Sequence, residues 1–369
     1  MRVGIVGLPL VGKTTIFNLL THGHVETSSW GSRGEAHIGV ARVPDPRVDR
    51  LGEIFKPEKV THATVEYVDL PGLARGEGKT ALEGQTREMS AFLTNLKTVD
   101  ALLHVVRAFE DEGIPHAEGP VDPARDIGLF ELEMIFSDLA IVGKRIERLE
   151  KDLRKARSAD LEMEHAVLER FKAALETERP LRELDLTQEE QRRVRGFTFL
   201  SAKPVLDVIN LGDGDVDKVP RVVEEYGIVK YRSAKNSAVT AVCGKLEAEI
   251  AALPDADAEA FMKDLGLPES GLARVIHESY HLLGLISFFT VGEPEAKAWP
   301  VPRSTTALQA AGVIHSDFER GFIKAEVVSY DDMVRLGSFQ AARSKGALRL
   351  EGKEYVVREG DVILFRFNI

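Results

Sequence analysis

Residues 1–18 constrain this chain more than any other stretch. Arg2-Val3-Gly4-Ile5-Val6 reads as a short buried strand and runs straight into Gly7-Leu8-Pro9-Leu10-Val11-Gly12-Lys13-Thr14. The residues that follow, Thr15-Ile16-Phe17-Asn18-Leu19-Leu20, read as a helix. G-x-x-x-x-G-K-T between a strand and a helix is the pattern of a phosphate loop. Its glycines let backbone N–H groups turn inward around phosphate oxygens, and the helix start adds a positive dipole end. Contacts to a nucleotide are expected from Gly7 through Thr15, with Lys13 reaching the β- and γ-phosphates and the Thr14 hydroxyl ligating Mg²⁺.

Bulk properties narrow the setting. The 369 residues suffice for two or three domains, and 44% hydrophobic with 29% charged is ordinary globular composition. Net charge is −11, so any contact with nucleic acid needs a local basic patch. One cysteine, Cys243, allows no internal disulfide and suits a reducing compartment. No apolar run reaches the roughly 18 residues of a membrane span. The expectation is a cytoplasmic protein, monomeric and without a membrane partner.

A second nucleotide signature follows. Residues 63–68 form an apolar strand that ends in Asp69-Leu70-Pro71-Gly72-Leu73. In D-x-x-G the Asp69 carboxylate would hold Mg²⁺ through water and the Gly72 N–H would face the γ-phosphate. Ras-like GTPases place Gln next to orient the attacking water. This chain has Leu73, which can do no such thing, so hydrolysis is either intrinsically slow or assisted elsewhere, with Gln85 one substitute. Residues 22–39 lie where a nucleotide-sensing switch would, with Thr27, Ser28, Ser29 and Ser32 available, but in no motif.

Residues 101–107 read as another buried strand containing His104, and the loop after it holds His116. From residue 129 the apolar period changes. Leu132, Ile135, Leu139, Val142, Ile146, Leu149 and Leu153 alternate by three and four, a heptad seam that predicts a coiled-coil arm. A hinge at 158–160 and a return helix with Leu161, Leu168, Phe171 and Leu175 complete a helical hairpin. The outgoing arm carries Lys144, Arg145, Arg148, Lys151, Arg154, Lys155 and Arg157. Two readings stay open: a solvated face with i,i+4 pairs, or a basic finger for RNA phosphates.

Residues 204–209 restore the strand pattern, so the hairpin is an insertion. That strand ends in Asn210-Leu211-Gly212-Asp213, close to the guanine-reading N-K-x-D with Leu211 in place of Lys. Ser-Ala-Lys, another base motif, occurs at 201–203 and 233–235, and neither copy sits cleanly at the end of the last strand. Strands alternating with helices over 1–128 and 197–284 predict an α/β nucleoside triphosphatase domain with a mostly parallel sheet. Residues 129–196 form the inserted hairpin. Residues 285–369 read as strand, strand, helix, strand, strand, with closing strands at 355–357 and 362–367, a small ubiquitin-like α+β domain. His315-Ser316-Asp317 within it is a helix-end turn rather than a triad.

Together these pieces resemble the YchF/Obg-like ATPase family over essentially the whole chain. The resemblance rests on residues 7–14, Asp69 to Leu73, H-V-V-R-x-F-E at 104–110, the hairpin, and a C-terminal stretch including Phe289-Thr290-Val291-Gly292, Lys297-Ala298-Trp299 and residues 314–323. That stretch is similar to the family's TGS domain. The resemblance implies a nucleoside triphosphatase that binds the ribosome; for a 50S or 70S partner and its RNA phosphates, the basic arm and a TGS-side groove are the expected contacts. It implies ATP as the preferred substrate, a hydrophobic residue at the Gln position, which Leu73 matches, and a histidine, here His116, as the catalytic stand-in. The family's last base-contacting loop aligns with Val242-Cys243-Gly244. The chain departs from the family in having Asp213 for Glu, which keeps GTP open. It also lacks the switch Thr around 34–39 and rewrites the Gly-rich tract after D-x-x-G-L at 79–90. Two classes of function fit: a slow, Mg²⁺-dependent regulatory switch, or a nucleotide-stabilised RNA- or ribosome-binding scaffold with incidental hydrolysis.

Overall fold

The computed structural model describes residues 1–23, 37–70, 94–156, 158–267 and 269–368. Contacts divide the chain into two compact units: Met1–Gly39 with Glu66–Val275, and Val40–Val65 with Ile276–Ile369.

The first unit is built on a six-stranded sheet in the order β2-β4-β1-β5-β6-β7. Its strands are β1 (Arg2–Val6), β2 (His37–Arg42), β4 (Thr64–Asp69), β5 (Ala101–Arg107), β6 (Val205–Asn210) and β7 (Ser237–Val242); β3 (Lys59–Thr61) belongs elsewhere. From β4 to β7 every pairing is parallel. β5 and β6 are buried at every residue, as strands covered on both faces must be, hence their near-continuous apolar sequences. β1 has β4 on one side and β5 on the other, so the chain reverses direction of travel across it. Ligands in such sheets bind at that switch point, beyond the carboxyl ends of the strands. Helix α1 (Lys13–Thr21) starts there, burying Ile16, Phe17 and Leu20.

The hairpin grows out of this unit. Helix α3 (Pro123–Lys155) has 33 residues, about 50 Å at 1.5 Å per residue, and α4 (Ala159–Glu176) returns along it. The seam residues Ile135, Val142, Ile146 and Leu149 are buried against Val167, Leu168, Phe171 and Leu175. Ser158 is the N-cap of the return helix. α3 begins before residue 129 because Asp122 caps it, its side chain accepting from the Arg125 N–H, with Pro123 at the first turn.

The second unit also has a six-stranded sheet, in the order β11-β10-β12-β8-β9-β3. Strands β8 (Leu285–Val291), β9 (Glu295–Pro302), β10 (Phe322–Ser329), β11 (Arg349–Glu351) and β12 (Asp361–Phe367) wrap a core of Ile286, Phe288, Val301, Val327 and Ile363. Helix Ala307–Ile314 covers it, opened by a Thr306–Gln309 capping box. Two expectations are corrected here. Residues 355–357 form no strand; Val356 makes only an isolated bridge to Thr306. The domain boundary also moves. Residues 40–65, expected in the nucleotide domain, join the C-terminal unit because β3 pairs in parallel with β9, Lys59 opposite Glu295. Helix α2 (Pro46–Phe55) packs on β8, β9 and helix Tyr330–Leu336. His315 caps helix Ser316–Arg320 by accepting from the Asp317 N–H, as expected of a helix-end turn.

Candidate nucleotide site

The phosphate loop connects β1 to α1. Gly7 has φ +144° and a side chain there would strike the Val105 carbonyl at 2.4 Å; Gly12 has φ +96° and a side chain would meet Asn210 Nδ2 at 2.6 Å. Only glycine satisfies both the backbone and the space. α1 starts at Lys13 with no acidic residue in its first turn and no side-chain cap, leaving its first N–H groups for an anion.

Lys13 is partly buried and its Nζ donates to the Leu8 carbonyl at 2.7 Å. Burial pulls its ammonium down to about 8, against the opposing pull of Asp69. Thr14 Oγ1 donates to Asp69 Oδ2 at 3.0 Å. Asp69 is buried, and its other oxygen, Oδ1, has no hydrogen-bond partner among the described residues. Burial raises the Asp69 carboxyl, with Thr14, Lys13 and His37 opposing. A buried carboxylate with one idle oxygen, beside a hydroxyl, is a donor set that fits Mg²⁺. Gly72, Leu73 and Gln85, with Thr27, Ser28, Ser29, Ser32 and Arg157, lie outside the described residues.

Asn210 is the strut of the site. Its Nδ2 donates to the Val11 carbonyl at 2.9 Å and its Oδ1 accepts from the Gly244 N–H at 3.1 Å. It thereby ties the end of β6 to the phosphate loop and to the loop after β7. Leu211 and Cys243 turn into the core with Val222, Ile228 and Leu246, so each offers the site backbone only. The Cys243 thiol is pushed up to about 12 by burial and is inert as a nucleophile. Val242 is likewise buried, its carbonyl accepting from Leu211. Asp213 stays partly exposed and pairs with Lys245 at 2.7 Å.

His116 is held elsewhere. Its Nδ1 accepts from the Glu118 N–H at 3.1 Å, and its Nε2 lies 3.0 Å from Asp126 Oδ2 in the first turn of α3. Both side chains are buried. His116 Nε2 and Asp126 Oδ2 approach closely without hydrogen-bond geometry, so both are buried and unsatisfied among the described residues. Neither Ser-Ala-Lys reads a base. Ser201 donates to the buried Asp138, Lys203 to the Val99 carbonyl, and Lys235 pairs with Asp185.

A model of 50S ribosome-binding GTPases matches residues 2–128, and the YchF-GTPase C-terminal model, a protein of unknown function, matches residues 285–368. The chain is 41% identical over 370 residues to the ribosome-binding ATPase YchF of Bacillus subtilis, with all of both chains covered. The chain belongs to the YchF family. The Escherichia coli O157:H7 YchF is 41% identical over all of this chain, and the Obg-like ATPase 1 of rice 35%. The structure of the Schizosaccharomyces pombe YchF GTPase superposes with a TM-score of 0.83 at 31% identity, covering 99% of this chain and 97% of that one. The fold is therefore that of a YchF phosphate-loop protein: a nucleotide-type α/β sheet unit, a helical arm and a C-terminal sheet unit.

Within this YchF fold, sequence reasoning missed Lys245 and Asp126. Lys245 had a visible signal, the cation directly after Val242-Cys243-Gly244. Asp126 falls in sequence within the loop that holds His116, and only the structure places it in the first turn of α3. No helix among the described residues is long and apolar enough to cross a membrane.

Proposed function

We propose that this chain is a Mg²⁺-dependent nucleoside triphosphatase that takes ATP, with GTP as the alternative, and acts as a slow switch on the ribosome. The observation that carries this reading is the Lys13, Thr14 and Asp69 cluster, locked to the base-side loops by Asn210. Lys13 would exchange the Leu8 carbonyl for β- and γ-phosphate oxygens, recovering its full charge. The N–H groups from Gly7 through Thr15 would line the phosphates. Mg²⁺ held by Thr14, and through water by Asp69, would supply charge neutralisation between the β- and γ-phosphates. Gly72 would sense the γ-phosphate. Asp213 would face the base, with Val242, Cys243 and Gly244 contributing backbone. His116 is the group assigned to orient the attacking water. To do so with Nδ1 it must give up the Glu118 N–H, and its buried place beside Asp126 supports slow hydrolysis in the unbound protein.

The partner assignment rests on relatives named ribosome-binding ATPases. A cytoplasmic location goes with it. We read the C-terminal unit as a TGS domain and the exposed Lys151, Arg154 and Lys155 of the arm as its RNA-phosphate contacts. Steady-state ATP and GTP turnover, with and without 50S and 70S particles, tests the reading. Ribosome-stimulated turnover that His116→Ala lowers without changing nucleotide affinity is the expected result. The engaged ring of His116 also favours a second reading, a scaffold whose hydrolysis is incidental. No stimulation, and ribosome binding unaffected by Lys13→Ala, would establish that one instead.

A further inference from the structure

We infer that Lys245 is a base-recognising residue that sets the nucleotide preference jointly with Asp213. The inference rests on the reading of the phosphate loop as a nucleotide site. Asn210 holds three loops together: the phosphate loop through Val11, its own strand end, and the loop after β7 through Gly244. Two residues past Leu211 and one past Gly244, the chains meet again where Lys245 Nζ lies 2.7 Å from Asp213 Oδ2. The pair follows the carboxyl ends of β6 and β7, the edge at which such sheets hold their ligands.

The inventory of donors and acceptors there is short. Leu211 and Cys243 point into the core. The Gly244 N–H, a natural backbone donor to a base edge, is already given to Asn210. What remains toward solvent from these two loops is a carboxylate and an ammonium side by side. A free carboxylate offers two acceptors, which matches the adjacent N1–H and N2–H donors of guanine. With Oδ2 engaged and its charge neutralised by Lys245, the pair offers one free acceptor beside one cationic donor. That is the complement of adenine, whose N6–H donates and whose N1 accepts. Lys245 thereby offsets the guanine bias that Asp213 alone would bring to the site.

The test is calorimetric titration of the full chain with ATP and with GTP in the presence of Mg²⁺. Lys245 is largely exposed, its side chain 74% accessible, so Lys245→Ala should fold normally. The expected result is a shift of the ATP-to-GTP affinity ratio toward GTP by about threefold to tenfold. In an Asp213→Ala background the same substitution should produce no gain for GTP, since no carboxylate is left to release. An unchanged ratio, or a shift toward ATP because Lys245 serves guanine O6 instead, overturns the inference. Lys13→Ala separates this from the reading beneath it. If Lys13→Ala binds both nucleotides as the parent does, the phosphate-loop reading falls and the base inference falls with it. If Lys13→Ala abolishes binding while Lys245→Ala leaves the ratio alone, only the inference fails.

Discussion

At the scale of the residue, Lys13 shows how a functional group is prepared for a ligand. Its ammonium donates to the Leu8 carbonyl. Desolvation lowers it from 10.5 to about 8. A bound triphosphate brings several negative charges to the same spot and must raise it again. Nucleotide binding therefore takes up a proton where the free lysine is partly neutral, above about pH 8. The sign follows from linkage: a ligand that prefers the protonated form binds more weakly as pH rises through the free-state value. Affinity for ATP should be flat near pH 7 and fall by up to about tenfold per pH unit above pH 8. Titrations in buffers of different ionisation enthalpy would show the uptake directly, and Lys13→Ala should abolish it. Lys13, Thr14 and Asp69 were all legible as chemistry because the motif names them. Which loops Asn210 ties together was not, since its two partners are 199 and 34 residues away in the chain.

At the scale of the element, the helical arm divides into a root and a tip. At the root Asp138, fully buried on α3, accepts from the Leu200 N–H, the Ser201 N–H and the Ser201 hydroxyl at 2.7–2.9 Å. Burial raises its carboxyl while those three donors oppose the rise. Asp138→Ala would strand two buried amides and a hydroxyl, so we expect a loss of about 2–4 kcal/mol in denaturant unfolding of the full chain. Further out, Arg145 spends its charge on Glu164 across the hairpin, its Nε and Nη2 donating to the two carboxylate oxygens at 2.7–2.8 Å. Lys151, Arg154 and Lys155 near the tip stay exposed. Neutralising those three should weaken ribosome co-sedimentation and flatten its dependence on salt, while leaving the melting temperature nearly unchanged. The heptad seam was readable because its spacing is local. Which arginine is spent inside the hairpin was not, because that depends on the facing helix.

At the scale of the whole molecule, the least expected finding is the allegiance of residues 40–65. They follow the phosphate-loop helix in sequence yet complete the C-terminal unit, giving its sheet a sixth strand and a covering helix. Leu51 on α2 is wholly buried. Leu51→Ala should cost about 2–5 kcal/mol through the lost methyl groups and the cavity left behind. Because α2 belongs to the C-terminal unit, ATP affinity should hardly change. Thermal unfolding with and without ATP separates the two: the nucleotide should raise the melting of the first unit and leave the weakened transition where it is. Nothing in residues 40–65 announces this. A three-residue strand carries too little pattern to say which sheet it will join.

By itself the sequence determined what is local. Glycine spacing dictates the phosphate loop, apolar runs dictate the buried parallel strands, and a 3–4 repeat dictates the arm, because each follows from backbone geometry within a few residues. Only the tertiary structure decided which side chains remain available. Leu211 and Cys243 are consumed by the core, Asn210 by bracing, Nδ1 of His116 by the Glu118 N–H, and Asp213 is shared with Lys245. Those outcomes hang on partners brought together by chain segments far apart, and a buried polar group takes whichever partner the packing supplies.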